Sequence, residues 1–347
     1  MKQKTIGDHI MSIMGQIKKI YNSLHKNYRN LYWWRDNILY YTLKLFDNND
    51  GVYICNEEWD SLIILDCCRY DKFKEIYEKR KMKGNLECKS SRGTWTVEFL
   101  KENFNIKDYF DDIIYVTSNP YVDKYLNNKF YKIISVWKFG WDNFYNTVLP
   151  SEVYKYSIKI INKYPDKRII IHFMQPHHPY ITLNFKEDDL VDKIRKHVLY
   201  NIDVEKETSK SLTNIYSVKL YSIYDIRKIE RAYMDNLEIV IPYVEALLNK
   251  LPGITIVTSD HGESFGDRIH PLIPIRFYGH GFTRLSSLIK VPWLIVDEKY
   301  KDPFYRDPKL LKREISIIKR KLRILKRQHE KKKIKHVIKD LKMGGKL

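Results

Sequence analysis

The sequence predicts an α/β protein whose mostly parallel central sheet is sandwiched by helices. Two observations carry this. Short, β-branched, near-continuous apolar runs recur at 61–65, 113–116, 132–136, 168–173, 254–257 and 291–296, as strands buried on both faces require. Helical patterns lie between several of them, at about 71–82, 151–163 and 226–250, the last interrupted by Pro242. Such alternation over some 240 residues is the signature of strands joined by crossover helices.

The 347 residues, 44% hydrophobic and 30% charged, can bury a large core and exclude a disordered chain. No apolar run reaches the ~20 residues that a membrane span needs. Asp8, Lys18 and Lys19 break any signal-peptide core near the start. Four cysteines without a Cys-x-x-Cys pair form neither a disulfide framework nor a thiolate metal site. The expected setting is therefore cytoplasmic, with a peripheral position at the inner membrane face. Residues 1–54 read as a basic helical extension, with apolar positions at helical spacing from Ile10 to Leu24. Residues 55–300 read as the main α/β domain, with the polar, Tyr-rich segment 183–225 as an insertion or lid.

Residues 301–347 form a basic amphipathic tail. Its stretch 309–347 holds twelve Lys and four Arg against three acids, so +13 of the chain's +19 sits there. Leu311, Ile315, Ile318, Leu322 and Leu325 make a helical stripe, which Ile334, Ile338 and Leu341 resume. The reading is an interfacial helix on an anionic membrane. Packing against the domain or a partner helix is the alternative. Nucleic acid is disfavoured, because the tail has no aromatic residue for stacking.

Ligands of parallel sheets bind beyond the carboxyl ends of the strands. Asp66 follows Leu-Ile-Ile-Leu. His172 ends the run Ile-Ile-Ile, and Phe-Met-Gln-Pro-His-His-Pro-Tyr follows with His177 and His178. Thr-Ser-Asp-His-Gly-Glu follows Ile-Thr-Ile-Val and brings Asp260 and His261, and Tyr-Gly-His-Gly later brings His280. Carboxylates and imidazoles are the oxygen and nitrogen ligands that suit zinc, manganese or a similar divalent ion. Each piece also has an ordinary explanation: Asp66 as a turn or cap residue, His172 as a core histidine, His178 as a solvated one.

In this order, Leu-Ile-Ile-Leu-Asp, Gly-Thr-Trp-Thr, Pro-His-His-Pro-Tyr, Thr-Ser-Asp-His-Gly-Glu and Gly-His-Gly resemble the alkaline phosphatase superfamily. The likeness is to its sulfatase-like branch, especially archaeal sulfatase-like proteins and the phosphoethanolamine and phosphoglycerol transferases. It covers about residues 55–300. The resemblance implies that Asp66, Thr96, Asp260 and His261 hold one divalent ion (zinc, manganese or calcium). It implies Thr96 as nucleophile, with Thr94 as its rival. His177 and His280 would hold the transferred oxyanion or its leaving group, and Arg69 would be structural. A hydroxyl that is a poor nucleophile at neutral pH is activated by such an ion. Taken without the family, Thr96 is an ordinary helix N-cap.

Two departures shape the expectation. Thr96-Val-Glu-Phe is not the Cys/Ser-x-Pro/Ala-x-Arg motif from which formylglycine sulfatases are made. Gln175-Pro-His-His stands where two-metal members carry an Asp-x-x-x-His element, so a second ion would have only His177 and His280. The expected function is hydrolysis or transfer of a phosphate ester or phosphodiester, on a lipid-linked or envelope-glycan substrate. The alternatives are a sulfuric ester hydrolase and a non-catalytic membrane-associated scaffold.

Overall fold

The computed structural model describes His25 and residues 48–106, 109–183, 225–270, 273–281 and 283–344, without the side chains of 270, 273–275 and 332–344. The expected helix in 1–54 and the insertion at 183–225 thus lie almost wholly outside the described residues.

Among the described residues there are eleven strands: β1 (Ser61–Leu65), β2 (Asn85–Ser90), β3 (Phe110–Thr117), β4 (Phe130–Ser135), β5 (Trp141–Asp142), β6 (Thr147–Val148), β7 (Arg168–Phe173), β8 (Thr255–Thr258), β9 (Ser264–His270), β10 (Ile273–Gly279) and β11 (Lys290–Val296). The principal helices are α1 (Tyr70–Arg80), α2 (Thr96–Phe104), α3 (Pro120–Leu126), α4 (Pro150–Lys163), α5 (Ile226–Leu248) and α6 (Pro308–Gly344). Seven strands form one sheet in the order β2-β11-β8-β1-β7-β3-β4. Pairing is parallel from β8 through β1, β7 and β3 to β4, and β11 is antiparallel to β8 and β2. This is the expected α/β class, with a mixed, mostly parallel sheet.

All five residues of β1 are buried because both faces of the sheet are covered. Ile63 and Leu65 pack under Phe73 of α1, Val153 of α4 and Leu237 of α5, whereas Leu62 and Ile64 pack under Phe99 of α2 and Val122 of α3. The six predicted strands are present. Two features were not anticipated. One is β2, whose polar Asn-Leu-Glu-Cys-Lys-Ser pairs along the sheet edge. The other is the β9–β10 hairpin, which carries Asp267 and Arg268. Helix α5 continues through Pro242.

The tail is helical as expected, and its first turns pack onto the domain. Leu311 is buried, Ile315, Ile318 and Leu322 are half-buried, and Leu325 is exposed. Glu314 accepts from Arg80 at 2.7 Å, and the Leu322 carbonyl accepts from the Tyr145 hydroxyl at 2.6 Å. The apolar face that an interfacial helix presents to lipid is therefore turned inward as far as Leu322. Ile334, Ile338 and Leu341 lie beyond the described side chains. Among the described residues, no helix is long and apolar enough to cross a membrane.

Candidate metal centre and nucleophile

The ends of β1 and β8 bring Asp66, Asp260 and His261 together. All three are at most 1% exposed, and one ligand atom from each lies within 4.8 Å of the others. Cys67 turns the chain out of β1 in the left-handed region (φ 53°), and its amide donates to Asp260 Oδ1 at 3.0 Å. The His261 amide donates to the same oxygen at 2.9 Å. The other oxygen of each carboxyl, Asp66 Oδ1 and Asp260 Oδ2, is buried without a hydrogen-bond partner. His261 Nδ1 lies 2.8 Å from the Gly262 carbonyl. A carbonyl only accepts, so Nδ1 carries a proton, and Nε2 faces the carboxylates. Nε2 is 3.4 Å from Asp260 Oδ2 and 3.8 Å from Asp66 Oδ1. Gly262 has a steric reason: a Cβ there would overlap the Ser287 carbonyl oxygen.

Thr96 arrives from the far end of a close-packed turn. It is the first residue of α2, and Trp95 occupies the N-cap without a side-chain hydrogen bond. The N-cap reading of Thr96 is therefore replaced. Its Oγ1 lies 3.4 Å from His261 Nε2, beside the carboxylates. Thr94, the rival, is held elsewhere, since both its amide and its hydroxyl donate to Glu98 Oε2, at 2.7 and 2.8 Å.

The remaining predicted residues line the same edge. Gly279 (φ 88°) and Gly281 (φ 93°) flank His280 in conformations that suit glycine. The His280 ring lies 4.6 Å from that of His261 and 5.1 Å from that of His177, between centroids. His280 Nδ1 donates to Glu263 Oε2 at 3.1 Å. Burial pulls the His280 imidazole down, but the Glu263 carboxylate outweighs it and holds the ring above its ordinary value. Burial pushes Glu263 up, and His280 more than reverses this. His177 goes the other way: burial, reinforced by His280, holds it below its ordinary value against the pull of Asp66. Asp66 itself is raised by burial, yet His177, His172 and His261 together hold it well below the usual carboxylate range. His178 is buried rather than solvated, and burial lowers it strongly.

His172 is a core histidine that also touches the site. Its Nδ1 lies 3.0 Å from the Tyr115 hydroxyl and its Nε2 3.5 Å from Asp66 Oδ2. Arg69 pairs with Asp71 at 2.9 Å and Asp267 at 3.3 Å, tying the turn after β1 to β9. Gln175 donates to the Val148 carbonyl at 3.1 Å.

Two participants were missed. Asn119 donates to Asp66 Oδ2 at 2.6 Å and approaches Thr96 Oγ1 at 3.5 Å. It stands at the carboxyl end of β3, where the strand-end rule would have found it. Glu263 lies within a motif already singled out and partners His280.

The site's residue types also fit a divalent ion. Two orphaned carboxyl oxygens and one imidazole nitrogen converge, and a buried carboxylate needs a counter-charge or a metal.

The chain is similar in structure to phosphoethanolamine transferase domains. The soluble domain of lipooligosaccharide phosphoethanolamine transferase A from Neisseria meningitidis superposes with a TM-score of 0.43 at 13% identity, over 70% of this chain and 77% of that one. The integral membrane form of that protein gives 0.43 at 12% identity, over 84% and 61%. The zinc complex of the C-terminal periplasmic domain of EcEptC from Escherichia coli gives 0.41 at 15%, over 75% and 79%. No protein-family model matches the chain, and no curated protein does.

Proposed function

We propose that the chain is a hydrolase or transferase of phosphate esters or phosphodiesters that depends on one divalent ion, with Thr96 as nucleophile. The observation that carries this is the placement of Thr96 Oγ1, 3.4 Å from His261 Nε2, at the edge of the Asp66–Asp260–His261 group. Asp66, Asp260 and His261, with Thr96, would hold zinc, manganese or calcium. Such an ion supplies positive charge that favours the alkoxide of a hydroxyl and offsets charge on ester oxygens.

The chain's own residues supply the rest. Asn119 orients the Asp66 carboxylate and presents an N–H toward Thr96 Oγ1. The N-terminus of α2 adds a favourable dipole for an anion. As the bond from Thr96 Oγ to phosphorus forms, the bond from phosphorus to the leaving oxygen breaks. His280, kept protonated by Glu263, gives its proton to that oxygen, and the hydroxyl proton is released to solvent. His177, kept neutral, accepts a proton from the water or alcohol whose oxygen then bonds to phosphorus; the bond from phosphorus to Thr96 Oγ breaks, and the threonine oxygen regains its proton from solvent. Gln175, engaged with Val148, offers no carboxylate to a second ion. The substrate is read as lipid-linked or glycan-linked from the basic tail, whose partner is an anionic membrane surface. The unbridged cysteines Cys55, Cys67, Cys68 and Cys88 support a reducing, cytoplasmic-face setting.

The test is turnover of nitrophenyl phosphate, bis-nitrophenyl phosphate and nitrophenyl sulfate by the manganese- or zinc-loaded protein, with Thr96→Ala alongside. Phosphate or diester turnover that disappears in the variant supports the proposal. Activity retained by Thr96→Ala would overturn it, and sulfate turnover alone would move the chain to the sulfuric ester hydrolases.

A further inference from the structure

A groove of about 690 Å³ runs between α6 and the paired helices α4 and α5, away from the metal centre. Its floor is apolar, made by Leu149, Ile158, Ile239, Tyr243, Ile315 and Leu322. Its rim carries Lys319, Arg323 and Lys326, spaced by four and three residues so that they share one side of α6. Among the described residues, no carboxylate pairs with these three cations. The acids at the groove are engaged otherwise: Glu152 pairs with Lys155 at 3.2 Å, and Asp142 Oδ1 accepts from the amides of Phe144 and Tyr145. The groove thus joins an apolar trough to an uncompensated cationic rim.

We infer that this groove takes one acyl chain of an anionic membrane lipid, whose headgroup rests on Lys319, Arg323 and Lys326. The inference shares the membrane reading of the tail and does not depend on the catalytic reading. Charge complementarity selects the occupant. The rim has three cations, the one lining acid without a cation partner among the described residues is Asp142, held by backbone amides, and +13 of the chain's charge lies in 309–347, continuous with the rim. Because Leu311, Ile315 and Leu322 face the domain, α6 meets a bilayer with its charged side, and apolar contact with lipid comes through the groove. Its volume lies in the range of sites that bury small amphiphiles.

Flotation of the full chain with phosphatidylglycerol–phosphatidylcholine vesicles tests this, beside vesicles of phosphatidylcholine alone. Binding is expected only to the anionic vesicles. K319E/R323E/K326E should lower partition about 100-fold or more, at roughly 1 kcal/mol per cation. Ile239→Trp, which fills the floor, should weaken it at least severalfold with unchanged circular dichroism, and Ile158→Trp gives the same test from another helix. Phosphatidylglycerol with a photoactivatable acyl chain should label groove peptides of the wild-type protein. Binding that survives the triple reversal would overturn the inference. So would labelling confined to other surfaces, or loss with the charge variant but none with either folded tryptophan variant, which marks surface charge alone. None of these readouts involves turnover, and Thr96→Ala should bind vesicles like the wild type.

Discussion

Two groups of buried carboxylates in this chain are handled in opposite ways. Glu245 of α5 is fully buried and is met by two guanidiniums, Arg80 at 2.5 Å and Arg306 at 3.0 Å. Glu314 of α6 closes the same network through Arg80 at 2.7 Å and Arg306 at 3.5 Å. Asp66 and Asp260 are buried as deeply, yet among the described residues no Lys or Arg pairs with either. Their nearest basic neighbours are imidazoles, and one carboxyl oxygen of each accepts no hydrogen bond. The chain evidently can match a buried acid with arginine, and it does so where an acid only joins helices. At the strand ends it leaves the compensation open. Satisfied charge fits a structural joint, and the open compensation at the strand ends is what the proposed ion would supply.

The largest effect expected from this contrast is on metal-dependent turnover. Thr96→Ala and Asp260→Asn should each reduce it by about 10³-fold or more in steady-state assays, since both remove groups that act as one unit.

Stability should separate the two clusters. Glu245→Gln leaves two half-buried guanidiniums undermatched and should cost about 3–5 kcal/mol in urea unfolding. In metal-free protein Asp260→Asn should cost nothing. The Asn oxygen still accepts from the Cys67 and His261 amides, and its NH₂ replaces the orphaned Oδ2 beside Asp66. Equal losses for both variants would erase the distinction.

Asn119→Ala should lower metal affinity or turnover about 10–100-fold, because it frees the Asp66 carboxylate from a 2.6 Å hydrogen bond while leaving the ligands in place. Titration of metal into the variant measures this. Asn119 also shows how far the site was legible. Asp66, His177, Asp260 and His261 could be read because each follows an apolar strand in a motif of chemically distinctive residues, and His280 from its Gly-His-Gly motif alone. Asn119 sits in Ser-Asn-Pro ahead of a helix, and its Oδ1 does cap α3 by accepting from the Tyr121 amide at 2.9 Å. One side chain performs both tasks, so the capping explanation is sufficient in sequence and conceals the other. The sheet itself was legible for its buried strands, whose composition reflects burial on two faces. Edge strand β2 was not, because its residues are polar and half-exposed and its pairing with β11 spans some 200 residues. The tail stripe announced a helix, and periodicity does not say which surface the stripe meets.

The smallest effect is on pH dependence. The raised His280 contributes stability that is complete below its ordinary 6.5 and is lost as pH rises through its raised value. The lowered Glu263 contributes stability that is complete above its ordinary 4.5 and is lost as pH falls through its lowered value. Their pair is therefore worth most between about 4.5 and 6.5. The unfolding free energy of the wild type minus that of Glu263→Gln, measured in urea, should be greatest there and shrink toward pH 9, with a maximum of about 1.5 kcal/mol for one charged hydrogen bond. A difference independent of pH would remove His280 from the role of proton donor.

The most direct test of the central claim is a calorimetric titration of zinc and manganese into chelator-stripped protein, run beside Asp66→Asn and Asp260→Asn. The account predicts one divalent ion per wild-type chain and loss of that binding in both variants while their folds persist. Wild-type protein that binds neither ion, or variants that bind as tightly as the wild type, would contradict it.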